Sequence, residues 1–138
     1  MQALIQALIS RITGDAELTA ILGTVPAVYL TEAPESAGLP LVIVRVTPGH
    51  CAHDFSGDRL TVVNVAIEVI AADVTVALSG AQRLEALLDN ATFPLTAGSL
   101  LSCRQTTPMA PVMPGFNALQ TALYTAEIHV ECQVFDAA

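Results

Sequence analysis

Four residues able to hold a metal or run nucleophilic chemistry fall within one short stretch, HCAHD at 50–54. His50, Cys51, His53 and Asp54 offer nitrogen, sulfur and oxygen donors of the kinds that zinc takes in a tetrahedral site. Four ligands from five consecutive residues would demand a contorted backbone, and no distant pair is marked by spacing to complete a smaller set. Cys51 beside His50 or His53 is also a conceivable thiolate pair. Nucleophilic catalysis further needs an orienting group, an anion-stabilising site and a pocket, and a turn rich in Gly and Asp gives weak support for all three. The stretch therefore reads as exposed loop residues.

A second cluster, Glu127, His129 and Glu131, shares one face of an alternating segment, where acid and base groups stand together. On a half-exposed strand such groups form a solvated or inter-subunit face. The glycines of GTVPAV and GDRLTV lack the spacing and the following Lys-Ser or helix that a phosphate-binding loop needs. Arg45, Arg59, Arg83 and Arg104 are scattered among different elements, and in a chain so poor in positive charge they are candidates for ion pairs between subunits. Cys51, Cys103 and Cys132 have no metal or disulfide spacing and read as ordinary thiols of a reducing compartment.

The surrounding chain narrows the function classes. Its 138 residues suit one domain, and 53% apolar with only 13% charged residues leaves more apolar surface than a lone subunit normally carries. Part of that surface is expected to be covered by another chain. Thirteen acids against five arginines give a formal charge of -8, which argues against gripping nucleic acid, because phosphate neutralisation supplies most of that affinity. Like charge still allows DNA to pass without sticking. Glu68 interrupts the greasiest segment, so no membrane span is expected, and the apolar opening residues lack the basic start of a secretion signal.

Hydrophobic periodicity supplies the elements that must position these groups. Leu4, Ile5, Leu8, Ile9 and Ile12 form a helical stripe that Gly14 interrupts. Asp15 caps a second piece carrying Leu18, Ile21 and Leu22, which Gly23 ends. Pro26, Pro34, Gly38 and Pro40 restrict residues 24–40 to loop and a brief strand at 28–30, and a strand follows over 41–46. Residues 47–58 read as a turn-rich connection. The strand at 60–70 puts Val63, Val65, Ile67 and Val69 on one face and Asn64 and Glu68 on the other. Asp73 caps a helix through Asp89 whose stripe is Val74, Ala77, Leu78, Ala81, Leu84 and Leu88. A strand over 100–106, a proline-rich loop over 108–115 (PMAPVMPG) and a strictly alternating last strand over 122–134 complete the chain. The expected fold is α+β, with a mostly antiparallel four- to five-stranded sheet packed on one face by two helices.

Local phrases in this order carry a family resemblance. ALIQALISRI and DAELTAILG lead into VYLTEAPESAGLPLVIVRV, and RLEALLD is followed by a strand, a loop and the closing YTAEIHVECQVF. The layout resembles the tail completion or tail terminator proteins of tailed bacteriophages across almost the whole chain. The resemblance implies a single domain over 1–138, non-enzymatic and without cofactor or metal. It also implies a homo-hexameric ring that caps the head-proximal end of the tail tube, ends tube growth and presents a surface to the head connector or neck protein. DNA would pass through the ring without sequence-specific binding, and the protein would reside in the virion tail or neck after assembly in the host cytoplasm.

The candidate subunit or tail contacts are Glu32 and Glu35 in the loop before the first long strand, Arg45, Arg59, and Met109, Val112 and Met113 in the proline-rich loop. Glu127, His129 and Glu131 on the last strand complete the set. The HCAHD turn and the PMAPVMPG loop match no family feature. Two other readings stand beside this one. The first is another phage neck or head-to-tail connector protein; the second is a small cytoplasmic enzyme or ligand-binding domain using the His-Cys-His turn.

Overall fold

A computed structural model of the chain describes residues 1–117 and 119–137. Helix α1 spans Gln2–Thr13, and its stripe buries Leu4, Leu8 and Ile12. Gly14 ends it with its N–H on the Ser10 carbonyl, and a side chain there would stand 2.9 Å from that same oxygen. Helix α2, Ala16–Leu22, starts on Asp15, whose carboxylate accepts from the Leu18 N–H at 3.0 Å. Gly23 closes α2 in the left-handed region at φ 78, as the glycine stop signal predicts. The broken helix read from the periodicity is thus two helices joined at a capping aspartate.

The strands are β1 (Val28–Leu30), β2 (Leu41–His53), β3 (Arg59–Ala71), β4 (Ser99–Gln105), β5 (Met113–Phe116) and β6 (Ala122–Asp136). They form one sheet in the order β1-β2-β3-β6-β4, with β5 pairing the start of β6. Every pairing is antiparallel except the short β1–β2 contact. Helix α3, Val74–Leu88, crosses between β3 and β4 and begins on Asp73, which accepts from the Thr75 N–H at 2.7 Å. The α+β architecture with a mostly antiparallel sheet agrees with the sequence.

Alternation decides which face is buried. Val63, Val65, Ile67 and Val69 of β3 and Ala126, Ile128, Val130, Cys132 and Val134 of β6 point at the helices and are buried with Val42 and Val44 of β2. The helices answer with Leu4, Leu8, Ile12, Leu18, Leu22, Ala77, Ala81, Leu84 and Leu88. Gly80 is part of that fit. A Cβ on it would meet Val69 at 3.1 Å and Leu22 at 3.5 Å, so its missing side chain lets α3 close on β3 and α2.

Two boundaries differ from the sequence reading. The connection expected over 47–58 is strand as far as His53, because a β-bulge between Pro48 and Cys51 absorbs both helix-and-strand breakers. Pro48 lies beyond the three residues that β1 covers, where β2 has no further strand beside it among the described residues. Gly49 packs so closely on β3 that any side chain would come within 2.7 Å of the Val62 carbonyl oxygen. The proline-rich loop likewise ends in strand β5, with Pro114 opposite Tyr124 on an outer strand where its missing N–H is harmless. The sheet accordingly gains a short sixth strand.

Candidate assembly surfaces

The bulged half of β2 and the start of β3 form a ribbon whose residues 47–57 are all exposed. Asp54 builds its tip. Its carboxylate accepts from the Ser56 hydroxyl at 2.7 Å, the Ser56 N–H at 2.9 Å and the Asp58 N–H at 3.0 Å, while Gly57 takes φ 89 to finish the turn. The Ser56 hydroxyl bond leads the causes that hold the Asp54 carboxyl below its usual range. Asp54 is therefore committed to the turn. Phe55 beside it is fully exposed, with no packing partner for its ring.

That geometry gives no support to the metal and nucleophile readings of HCAHD. His50, Cys51 and His53 lie on an exposed strand, and the Thr61 hydroxyl lies 3.7 Å from the Cys51 sulfur. Among the described residues, no group of three or more His, Cys, Asp or Glu side chains converges to hold a metal ion. No helix among them is long and apolar enough to cross a membrane.

The sheet face turned away from the helices carries the second predicted cluster. Register puts Glu68 directly opposite Glu127, and Arg45, Ala66 and His129 in the adjoining row. Two like charges facing each other are unfavourable unless cations or hydrogen-bonding groups flank them. Arg45 pairs with Glu68, and His129 Nε2 lies 3.1 Å from Glu127. Glu131 stands between Asn64 and Arg104 in the next row. These groups form a checkerboard of charge on a half-exposed face, as the alternation implied.

Strand register and helix packing give three of the four scattered arginines partners within the chain. Arg45 is held by Glu68, Arg59 by Asp136 at 3.1 Å, and Arg83 by Asp15 at 2.8 Å and Glu17 at 3.2 Å, all within the chain. Antiparallel pairing and the packing of α2 on α3 bring these acids close although they are far apart in sequence. Arg11 instead donates to the Leu87 carbonyl at 3.1 Å and lies 5.3 Å from the Phe93 ring centre.

The loop candidates also divide. Met109 and Val112 pack partly buried against the core, whereas Met113 is exposed. Past it, Phe116 and Leu119 are exposed as well, and neither was singled out from sequence. Their signal was available: both are large apolar residues inside a stretch rich in Gly, Pro and Asn, where a core position is not expected. Glu32 and Glu35 are exposed in the loop between β1 and β2. A groove of roughly 690 Å³ lies between α1 and residues 93–96, lined by Ala3, Ala7, Ile9, Arg11 and Phe93. It collects none of the predicted reactive residues.

Comparison with known proteins places this arrangement. A family model described as tail completion protein gp17 matches residues 6–110. No curated protein sequence matches the chain significantly. Among solved structures, a chain in the virion of a native gene transfer agent particle has a similar fold. It gives a TM-score of 0.69 and 23% identity, covering 97% of this chain and 96% of that one. A second solved structure gives a TM-score of 0.61 and 21% identity over 96% of this chain and 94% of that one. With the match spanning most of α1, all of α2 and α3, and strands β1 to β4, the chain belongs to the tail completion protein gp17 family and is a structural protein of a phage-type tail, not an enzyme.

Proposed function

We propose that the protein caps the head-proximal end of a tail tube as a homo-hexameric ring, ending tube growth and offering its outer surface to a head connector or neck protein. The observation that carries this reading is the placement of large apolar side chains on two projecting segments. Phe55 stands at the ribbon tip, and Met113, Phe116 and Leu119 lie along β5 and the turn after it, all exposed to solvent. A ring needs two different surfaces on each copy, one to meet each neighbour, and apolar groups on two separate segments suit that need. The bulk of the core is already satisfied by α1, α2 and α3, so these side chains are not misplaced core residues.

The predicted contacts keep their place in this reading in modified form. Glu32, Glu35 and Met113 remain free to meet the neighbouring subunit or the tube. Arg45, Arg59, Glu127 and His129 act first inside the chain and shape the face that a partner would see. The formal charge of -8 suits a channel through which DNA moves without adhering.

Native mass spectrometry of the untagged protein over a concentration series, with and without tube subunits, tests the proposal. A closed species of six times 14.4 kDa, about 86 kDa, formed alone or on a tube end supports it. A chain that stays at 14.4 kDa under both conditions, and does not halt tube growth, refutes it.

A further inference from the structure

Cys103 on β4 and Cys132 on β6 are direct cross-strand partners. Their sulfurs lie 3.4 Å apart, with the Cys132 thiol donating to Cys103, although the two residues are 29 positions apart in sequence. Both are free thiols and both are buried. The assembly reading gives them no task. Small apolar residues would fill either position equally well, so the distinguishing property of this spot is that two oxidisable sulfurs already touch. Directly opposed residues of antiparallel strands stand about 4.5–5.5 Å apart at Cα, inside the span that a disulfide bridges.

Access to the pair follows from the sheet order. β4 is an outer strand, paired on one side only, while β3 and β6 are held on both sides. Its ladder to β6 shifts register between Leu100 and Ser102, immediately before Cys103. Outer strands with interrupted ladders open locally at lower cost than strands held on both sides. Local opening of β4 is the route by which a small uncharged oxidant would reach the two sulfurs.

We propose that Cys103 and Cys132 form a latent oxidative modification site, where a hydroperoxide converts the thiol pair into a cross-strand disulfide tying β4 to β6. With hydrogen peroxide, the Cys103 thiolate attacks one oxygen and the O–O bond breaks. A sulfenic acid forms, and the departing hydroxide takes the proton that Cys103 released, leaving as water. The Cys132 sulfur then attacks the Cys103 sulfur. The S–O bond breaks, the leaving hydroxyl collects the Cys132 proton, and a second water departs. Two thiols and one peroxide become one disulfide and two waters, with two electrons passing from sulfur to oxygen.

The hydrogen bond favours Cys103 as the attacking sulfur. Donation from Cys132 lowers the pKa of the Cys103 thiol, and the positive charge of Arg11 acts in the same direction. That hydrogen bond, together with burial, raises the pKa of Cys132.

The test uses the full chain carrying Cys51→Ser, so that the exposed third thiol cannot bridge two molecules. The folded protein is treated with hydrogen peroxide, quenched, denatured, alkylated and weighed without reduction. The expected result is a monomer that has lost both alkylatable thiols and the mass of two hydrogen atoms, and regains both on reduction. The same treatment of Cys103→Ala in that background should leave Cys132 as an alkylatable thiol. Two alkylatable thiols surviving in the parent, their loss only with added oxygen atoms, or bridge formation only in denaturant would each overturn the proposal.

Discussion

Replacing Phe55 by Ala separates folding from assembly, because the ring is fully exposed at the tip of the ribbon. No burial of this side chain accompanies folding, so the change in unfolding free energy should stay within about 0.5 kcal/mol. If the ring is buried against the next subunit, the lost transfer free energy is about 1.5–3 kcal/mol per contact. At about 1.4 kcal/mol per tenfold, that weakens each subunit joint roughly 10- to 150-fold, and the loss recurs at every joint of a ring. Thermal unfolding and native mass spectrometry on the same sample read the two effects separately. The expected pattern is an unchanged melting temperature with the assembled species displaced to much higher concentration. Phe55→Leu, which keeps an apolar side chain, should recover most of the assembly. Unaltered assembly of Phe55→Ala, alone and on tube ends, would refute the assignment of this residue to a contact.

Three further outcomes follow from the fold and its caps. Ile67→Ala empties a fully buried position in the middle of β3 and should cost about 2–5 kcal/mol, read as a fall in melting temperature of roughly 10 °C. Gly98→Ala should destabilise by at least about 2 kcal/mol. Its φ of 75 is strained for a side chain, and the new Cβ would fall 2.9 Å from the Phe135 carbonyl oxygen and 2.4 Å from the Asp136 carboxylate. A denaturation midpoint equal to that of the parent protein would contradict this close approach.

The Asp15 carboxyl is held below its usual pKa first by the Arg83 hydrogen bond and also by the Leu18 N–H. Its contribution is therefore present above the unfolded carboxylate pKa of about 3.9 and is lost as pH falls through the lower folded value. Asp15→Asn should flatten the stability profile on the acid side of pH 4, as measured by urea unfolding at a series of pH values. An acid limb as steep as that of the parent protein would show that Asp15 does not contribute this linkage.

Much of the fold was legible because local signals and global packing agree. Asp15, Gly23 and Asp73 cap or close helices where their types demand it, and the alternation of 63–69 and 126–134 marks the buried face. Sequence erred where a breaker was tolerated by its surroundings. Pro48 and Gly49 read as the start of a turn, but a bulge on the outer part of β2 accommodates both and carries the strand on to His53. The surface was less legible. The partners of Arg45 and Arg59 within the chain were not legible because those acids are 23 and 77 residues away, a proximity that only strand register creates. The exposure of Phe116 and Leu119 had one local signal, the Gly-, Pro- and Asn-rich stretch around them.

By itself, then, the sequence determined the kinds of element, their order, the buried face and the absence of a reactive motif at usable spacing. These depend on periodicity and on caps that act within a few residues. Tertiary structure alone decided that residues 50–53 are strand, that Glu68 and Glu127 face each other beside Arg45 and His129, and that Cys103 touches Cys132. Each is a contact between residues distant in the chain. No local rule sets such a contact, because it comes into being only when β2, β3, β6 and β4 align in register.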